Sequence, residues 1–482
     1  MRKLTALIMT VVLIAAFLVS CSSKPVPKPA AETSSEAAVS SSAPAEKATI
    51  SFYSLPYFAA ADGKNGSFEQ QLIAAFNQLH PEITVNYVKL ETGTSGEEAL
   101  KKALEAKEAD ILYDSAERLA GYARVGKLAD LSSLFTDELK KDLPENVVLA
   151  CGMSGTPYML PLSVSPYLMA FNKEMLEKAG ILNLLPYERN KDRSWTTEEY
   201  TALLSAMKEK LPVGASSGVL YAKSSSGDGA TRSLMENLYG AEFVNKEYSA
   251  YTIGSSQGEQ AFAWLNKTVQ DNLLAVDANK TASDTVKDFA DGKTAHTLLY
   301  TVGLKNNYAQ GKKDNFTEIL MPYPGQSGKA PTFEYALSGA AVFDNGDTKR
   351  IEAAKVFIDF LASNRQWSRI LAVSTGGLSP QLSKDELRYD TEFAYAESVR
   401  PLFGRYVPLT EGYDMMKTYW FPTLAAASQK DAKTADILQA FVKTADQTVT
   451  DAIKAREDAA KKGDENTSSA ASSSKSGKKK KN

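Results

Sequence analysis

Histidine and cysteine are nearly absent: the 482 residues carry two of each, His80 and His296, Cys21 and Cys151. Two distant histidines and no clustered thiols make no metal-ligand set, so neither metal nor cofactor is expected. The same scarcity removes the base from a Ser-His nucleophile pair, because His80 stands beside Pro81 at a helix end and His296 lies in an apolar run. Gly214–Gly218 and Gly254–Gly258 both fit G-x-S-x-G, but in Ser- and Gly-rich stretches without the strand-turn-helix frame of a nucleophile elbow. No G-x-x-x-x-G-K-[ST] phosphate loop occurs, and Asp62-Gly63-Lys64-Asn65-Gly66 lacks the acidic spacing of a calcium loop and reads as a turn. No catalytic residue is assigned. Basic excess is missing too: 58 acids against 55 bases give a net charge of −3, and the leader and tail are themselves basic. The region between them is therefore acidic, a poor partner for nucleic acid. Paired carboxylates for glycoside hydrolysis stay open, since sequence does not show which two acids face each other.

Long hydrophobic runs are also lacking, except one. Arg2 and Lys3 precede an almost unbroken apolar stretch from Leu4 to Val19, the order of a signal peptide. It is short of the roughly 18 apolar residues that a membrane span needs. The run closes on Leu18-Val19-Ser20-Cys21, which is similar to the bacterial lipobox, where a peptidase cuts just before a lipidated cysteine. That similarity implies a lipoprotein with residues 1–20 as signal peptide and Cys21 as the lipidation site. Cys151 is then the remaining thiol, no internal disulfide can form, and the fold must rest on its core. Residues 22–47 are Ser, Ala, Pro and Glu without an aromatic, a composition that stays disordered. As a coil they span about 28 Å, enough to tether a globule off a membrane. Residues 457–482 are expected to form a disordered tail ending in Lys478–Lys481, either merely solvated or drawn to anionic lipid.

What is present between these ends is a stretch of roughly two domains' length. Thr49–Tyr53 alternates and is rich in strand formers; Phe68–Leu79 places Leu72, Ile73, Phe76 and Leu79 on one helical face; Ile83–Val88 is a second strand. The chain thus opens β-α-β, the unit of a mainly parallel sheet covered by helices. Helical patterns recur at Leu100–Ala106, Arg118–Val125, Ala353–Leu361 and Thr434–Ile453, with a strand at Asp110–Tyr113. Aromatics are plentiful, with four Trp, 22 Tyr and 19 Phe. An exposed ring in a cleft offers a flat face to a sugar ring while neighbouring charges meet its hydroxyls. Any single ring is more often core.

Four stretches, in order, resemble the extracellular solute-binding proteins of the sugar-binding class that includes maltodextrin-binding proteins. They are Glu117–Leu131, Leu160–Lys173, Asp288–Ala295 and Ala353–Leu361. The resemblance covers about residues 48–456 and implies a two-lobed α/β clamp of the periplasmic-binding-protein-like, Venus-flytrap kind, each lobe a mainly parallel sheet flanked by helices. Lobe 1 would comprise 48–160 and 324–363, and lobe 2 would comprise 164–320 and 366–456. Three hinge crossings would fall near Leu160–Val164, Ile319–Tyr323 and Leu361–Trp367. Asp62 and Lys64 stand where a family loop reaches sugar hydroxyls, Glu117 and Arg118 at its acidic-Arg contact pair, and Trp420 on a stacking Trp. Tyr300 lies beside another family Trp, Tyr335 is a further cleft aromatic, and Ser165 replaces a carboxylate of maltodextrin binders. The function implied is capture of a solute, a sugar or oligosaccharide, by a monomer of an ABC transporter. Its partners would be permease subunits, and the anchor would hold it on the outer face of the bacterial cell membrane, extracytoplasmic. A secreted glycoside hydrolase and a surface adhesin are the rival readings.

Overall fold

The computed structural model describes residues 47–55, 62–308, 316–384 and 391–476. The leader, Cys21, nearly all of the tether and Lys478–Lys481 lie outside them.

The opening strand Ala48–Ser54 turns Ala48, Ile50 and Phe52 inward. Helix Ser67–Leu79 lays Phe68, Leu72 and Phe76 over it and stops at His80, because the following Pro81 disfavours helical backbone at the residue before it. Strand Ile83–Lys89 then pairs parallel with the first, Ala48 opposite Ile83. Strand Ile111–Ser115 joins the other side in parallel, and Tyr335–Val342 and Leu160–Pro166 complete a five-stranded sheet in antiparallel sense. Helix Thr348–Ser363 seals it: Phe357 meets Phe52 at 5.3 Å and Phe76 edge-on at 5.0 Å. The β-α-β opening expected from hydrophobic periodicity is therefore present.

The second sheet has Leu168–Asn172 at its centre, flanked by His296–Tyr300 and Glu318–Met321. Met169 and Phe171 face one core, and Leu168 and Ala170 face the other, so both sides are covered. Helices Thr197–Lys210, Gly229–Tyr239, Ser256–Gln270 and Tyr413–Ala427 supply the bulk around it. The first of these starts at a capping box between Thr196 and Glu199.

Several expectations are corrected. The second sheet is antiparallel, not mainly parallel. The chain enters this lobe on Leu168–Asn172 and leaves it on Glu318–Met321, and adjacent strands that carry entry and exit must run in opposite directions. The crossing expected near Leu160–Val164 falls at Tyr167, since Leu160–Pro166 pairs along its length within the first sheet. The next occupies 322–334, not Ile319–Tyr323. Helix Arg365–Ser374 carries Trp367 and Leu371 four residues apart and buries both in the first core, Trp367 against Phe68 at 5.9 Å. The segment after 366, expected to open lobe 2, therefore begins with a helix packed on the first sheet's core, and helix Thr391–Ser398 further on meets strand Glu318–Met321, where Glu392 accepts from the Leu320 backbone. Finally, helix Thr434–Ser476 runs through the segment expected to be disordered from 457. Ala, Lys and Glu after Ile453 are good helix formers, and extending an existing helix avoids the nucleation cost.

Candidate functional site

A cavity of about 250 Å³ lies between the two sheets. It opens where strand Ile111–Ser115 ends, the carboxyl edge at which open α/β sheets take their ligands. The first lobe contributes Glu117, in the first turn of helix Ala116–Arg124. Its carboxylate makes no hydrogen bond or ion pair among the described residues. Burial and the Asp414 carboxylate push its pKa above the usual range, with Lys417 and Arg232 opposing.

The second lobe answers with a buried ionic network. Arg232 on helix Gly229–Tyr239 is 2% exposed and pairs with Asp228, one turn earlier, and with Glu334, just before strand Tyr335–Val342. Its Nε donates to Glu334 Oε1 at 2.9 Å and its Nη1 to the Tyr413 hydroxyl at 3.0 Å. Tyr413 in turn donates to Asp228 Oδ1 at 2.5 Å. Burial alone would lower the Arg232 pKa, but Asp228 and Glu334 more than offset it and hold the guanidinium charged. Burial and the neighbouring Glu334 carboxylate raise the pKa of Glu236 strongly. Lys417, at the cavity edge, pairs with Asp414 at 3.5 Å.

Tyrosines Tyr167, Tyr221 and Tyr406 form the walls. The Tyr221 hydroxyl is buried without a hydrogen-bond partner among the described residues. Gly229 is required by close approach, because a Cβ there would meet the Tyr167 ring at 2.2 Å. The cavity thus presents a free acceptor at Glu117, the kind of group a polyol would satisfy. Larger grooves of about 680 and 710 Å³ run along the Gly152–Pro157 hairpin, away from the strand ends.

Of the residues expected from sequence, Glu117 and Tyr335 reach the cavity. The Tyr335 ring itself is 2% exposed, stacked on Phe403 at 4.3 Å with its hydroxyl donating to the Asn146 carbonyl, so it offers no open face to a solute. Trp420 is corrected to a core residue. It is 0% exposed, packed among Phe243, Phe262 and Phe441, with its indole N–H donating to Thr231. The cause is local: Met415–Pro422 lies within helix Tyr413–Ala427, and its inward stripe of Met416, Trp420 and Leu424 follows helical spacing. Tyr300 is likewise buried, donating to Glu318 at 2.8 Å. Asp62 accepts from Ser67 and from the Lys64 backbone, hydrogen bonds that lower its pKa and brace the approach to helix Ser67–Leu79. Arg118 pairs with Asp114 beside the strand end. Asp62, Lys64, Arg118, Tyr300 and Trp420 do not line the cavity. Sequence reasoning missed Asp228, Arg232, Tyr413 and Lys417. The acid-to-Arg spacing of four in Asp228–Arg232 was visible, but such pairs usually sit on a solvated face.

The sequence model of the family described as bacterial extracellular solute-binding protein matches residues 60–366. A binding protein of Brucella abortus (strain 2308) is 24% identical over 357 residues, covering 73% of this chain and 82% of that protein. A lipoprotein of Streptomyces antibioticus is 24% identical over 351 residues, covering 69% and 73%. Among solved structures, the cyclic alpha-maltosyl-1,6-maltose binding protein of Arthrobacter globiformis superposes with a TM-score of 0.68 at 15% identity, covering 84% of this chain and 100% of that one. UgpB of Mycobacterium tuberculosis in complex with glycerophosphocholine gives 0.64 at 16% identity, covering 84% and 99%.

Proposed function

Because the chain belongs to the bacterial extracellular solute-binding protein family, we propose that it is the capture subunit of an ABC importer and holds a carbohydrate in the cavity between its sheets. The observation that carries this reading is the cavity itself, walled by both lobes and presenting an uncommitted carboxylate at Glu117. A solute that bonds both lobes at once favours the closed form, since only that form offers both sets of contacts. The closed complex then docks on permease subunits whose partners hydrolyse ATP. The protein works outside the cytoplasm, as its family does. Cys21 would anchor it to the outer membrane face, and the Streptomyces relative is named as a lipoprotein.

Turnover is not part of this reading. A glycosidase needs two carboxylates free to act on one bond, whereas of the two acids lining the cavity Asp228 is committed to Arg232 and Tyr413. The test is a melt with carbohydrate followed by chromatography of the mixture. A hundredfold excess of ligand over Kd should add about 2.7 kcal/mol of stability with the ligand recovered unchanged. Appearance of a hydrolysis product would move the protein to the enzymes. The anchor is tested separately: wild type should partition into detergent with membranes, and Cys21→Ala should not.

A further inference from the structure

We propose that the captured solute is an uncharged sugar of a single ring, an inference that rests on the carbohydrate reading above and narrows it. Three observations converge. The cavity, about 250 Å³, lies below the roughly 300–1,000 Å³ of clefts that take drug-sized ligands. It is also bounded on one side. Tyr406 and Pro408 form that wall, and hydrogen bonds from the first lobe hold the chain there, Arg124 donating to the Leu409 carbonyl and Asn146 to the Phe403 carbonyl at 2.7 Å. This segment separates the cavity from the larger groove beyond Leu409. The rings that could have stacked on further sugar units, Trp420 and Tyr300, are turned into the cores.

Charge supplies the third observation. The buried cation at the cavity, Arg232, is committed to Asp228 and Glu334, and Lys417 lies at the edge, 3.5 Å from the exposed Asp414. The remaining charged group, Glu117, is an acid. An anionic solute would enter against Glu117 with only the edge lysine to meet it, a cost that desolvation in the closed form enlarges. A neutral polyol instead gives Glu117 the hydroxyl donors it lacks.

Isothermal titration and thermal melts of the ligand-stripped protein test this with D-glucose, D-galactose, D-mannose, D-xylose, L-arabinose, maltotetraose and D-glucose 6-phosphate. At least one neutral monosaccharide should bind, with maltotetraose and the sugar phosphate weaker by about tenfold or more, the scale of one lost hydrogen bond to a charged group. Glu117→Gln should weaken the binding monosaccharide by about tenfold without moving the ligand-free melt. Maltotetraose binding as tightly as every monosaccharide overturns the single-ring inference alone, and a tighter sugar phosphate overturns the uncharged one alone. An unaltered affinity in Glu117→Gln places the sugar outside this cavity. Binding by no carbohydrate in the series defeats the carbohydrate reading and this inference with it.

Discussion

Each lobe buries a carboxylate beside an arginine, and the two arrangements serve different ends. In the first lobe Asp110 accepts from the Ser51 backbone, from Asn345 at 2.7 Å and from Arg350 at 2.9 Å, and Arg350 stays 25% exposed. That cluster ties a strand start to the loop before helix Thr348–Ser363 and does not line the cavity between the sheets. In the second lobe Arg232 is enclosed with both its acids and faces the space between the lobes. A charge with water nearby can serve the fold cheaply. One taken wholly out of water has to be matched group for group, and such a preorganised constellation beside a cavity points to binding.

The most severe way to break the second lobe is through its core. Trp420→Ala should cost about 3–5 kcal/mol of unfolding free energy in urea, the range for a buried aromatic. Solute affinity of the folded fraction should hold. A mutant of wild-type stability that no longer binds would restore Trp420 to the cavity.

Arg232→Met comes next. It strands Asp228 and Glu334 without their cation and should cost about 3 kcal/mol or more, while Arg350→Met, whose partner keeps the Ser51 and Asn345 hydrogen bonds, should cost clearly less. Arg232→Met combined with Glu334→Gln should recover part of the loss, as expected for directly coupled residues. Equal losses at Arg232 and Arg350 would erase the distinction between the lobes.

A pH titration separates them further. His296 in the second lobe is buried, stacked on Phe171 at 5.1 Å, with Nδ1–H donating to the Ser217 carbonyl and Nε2 accepting from the Tyr200 hydroxyl. Burial lowers its pKa from 6.5 to about 4, so the neutral ring is the folded form. The unfolded chain takes up the proton first as pH falls. The contribution is therefore fully present above pH 6.5 and lost on descent to about pH 4, some 3 kcal/mol in all. His296→Asn should flatten that part of the stability profile measured by urea midpoints.

The smallest effect is expected at Arg118, whose side chain is 38% exposed on Asp114. Arg118→Ala should cost less than about 1 kcal/mol and leave solute affinity within twofold or so. A tenfold loss of affinity would return this residue to the binding site.

The elements that could be read from the chain are those whose evidence is local. Phe68, Leu72 and Phe76 announce a helix by spacing alone, and Thr49–Tyr53 a strand, because side-chain direction repeats with the backbone period. Glu117 was found because the stretch Glu117–Leu131 resembles the family, whose acidic-Arg contact pair falls there. Trp420 misled for the converse reason: three aromatics before a proline suggest an exposed cluster, and only the helix around them shows that position 420 faces inward.

Sequence by itself determined the two-lobe α/β class, the opening β-α-β unit, the want of catalytic and metal motifs, and the family. Tertiary structure alone decided which charges meet. Arg232 and Glu334 are 102 residues apart and Arg232 and Tyr413 are 181 apart. No periodicity in a chain records such distant neighbours. Whether an arginine lies on a wet helix face or at the centre of a binding cavity depends on what other segments bring to it, since burial and pairing are properties of the packed assembly and not of the residue.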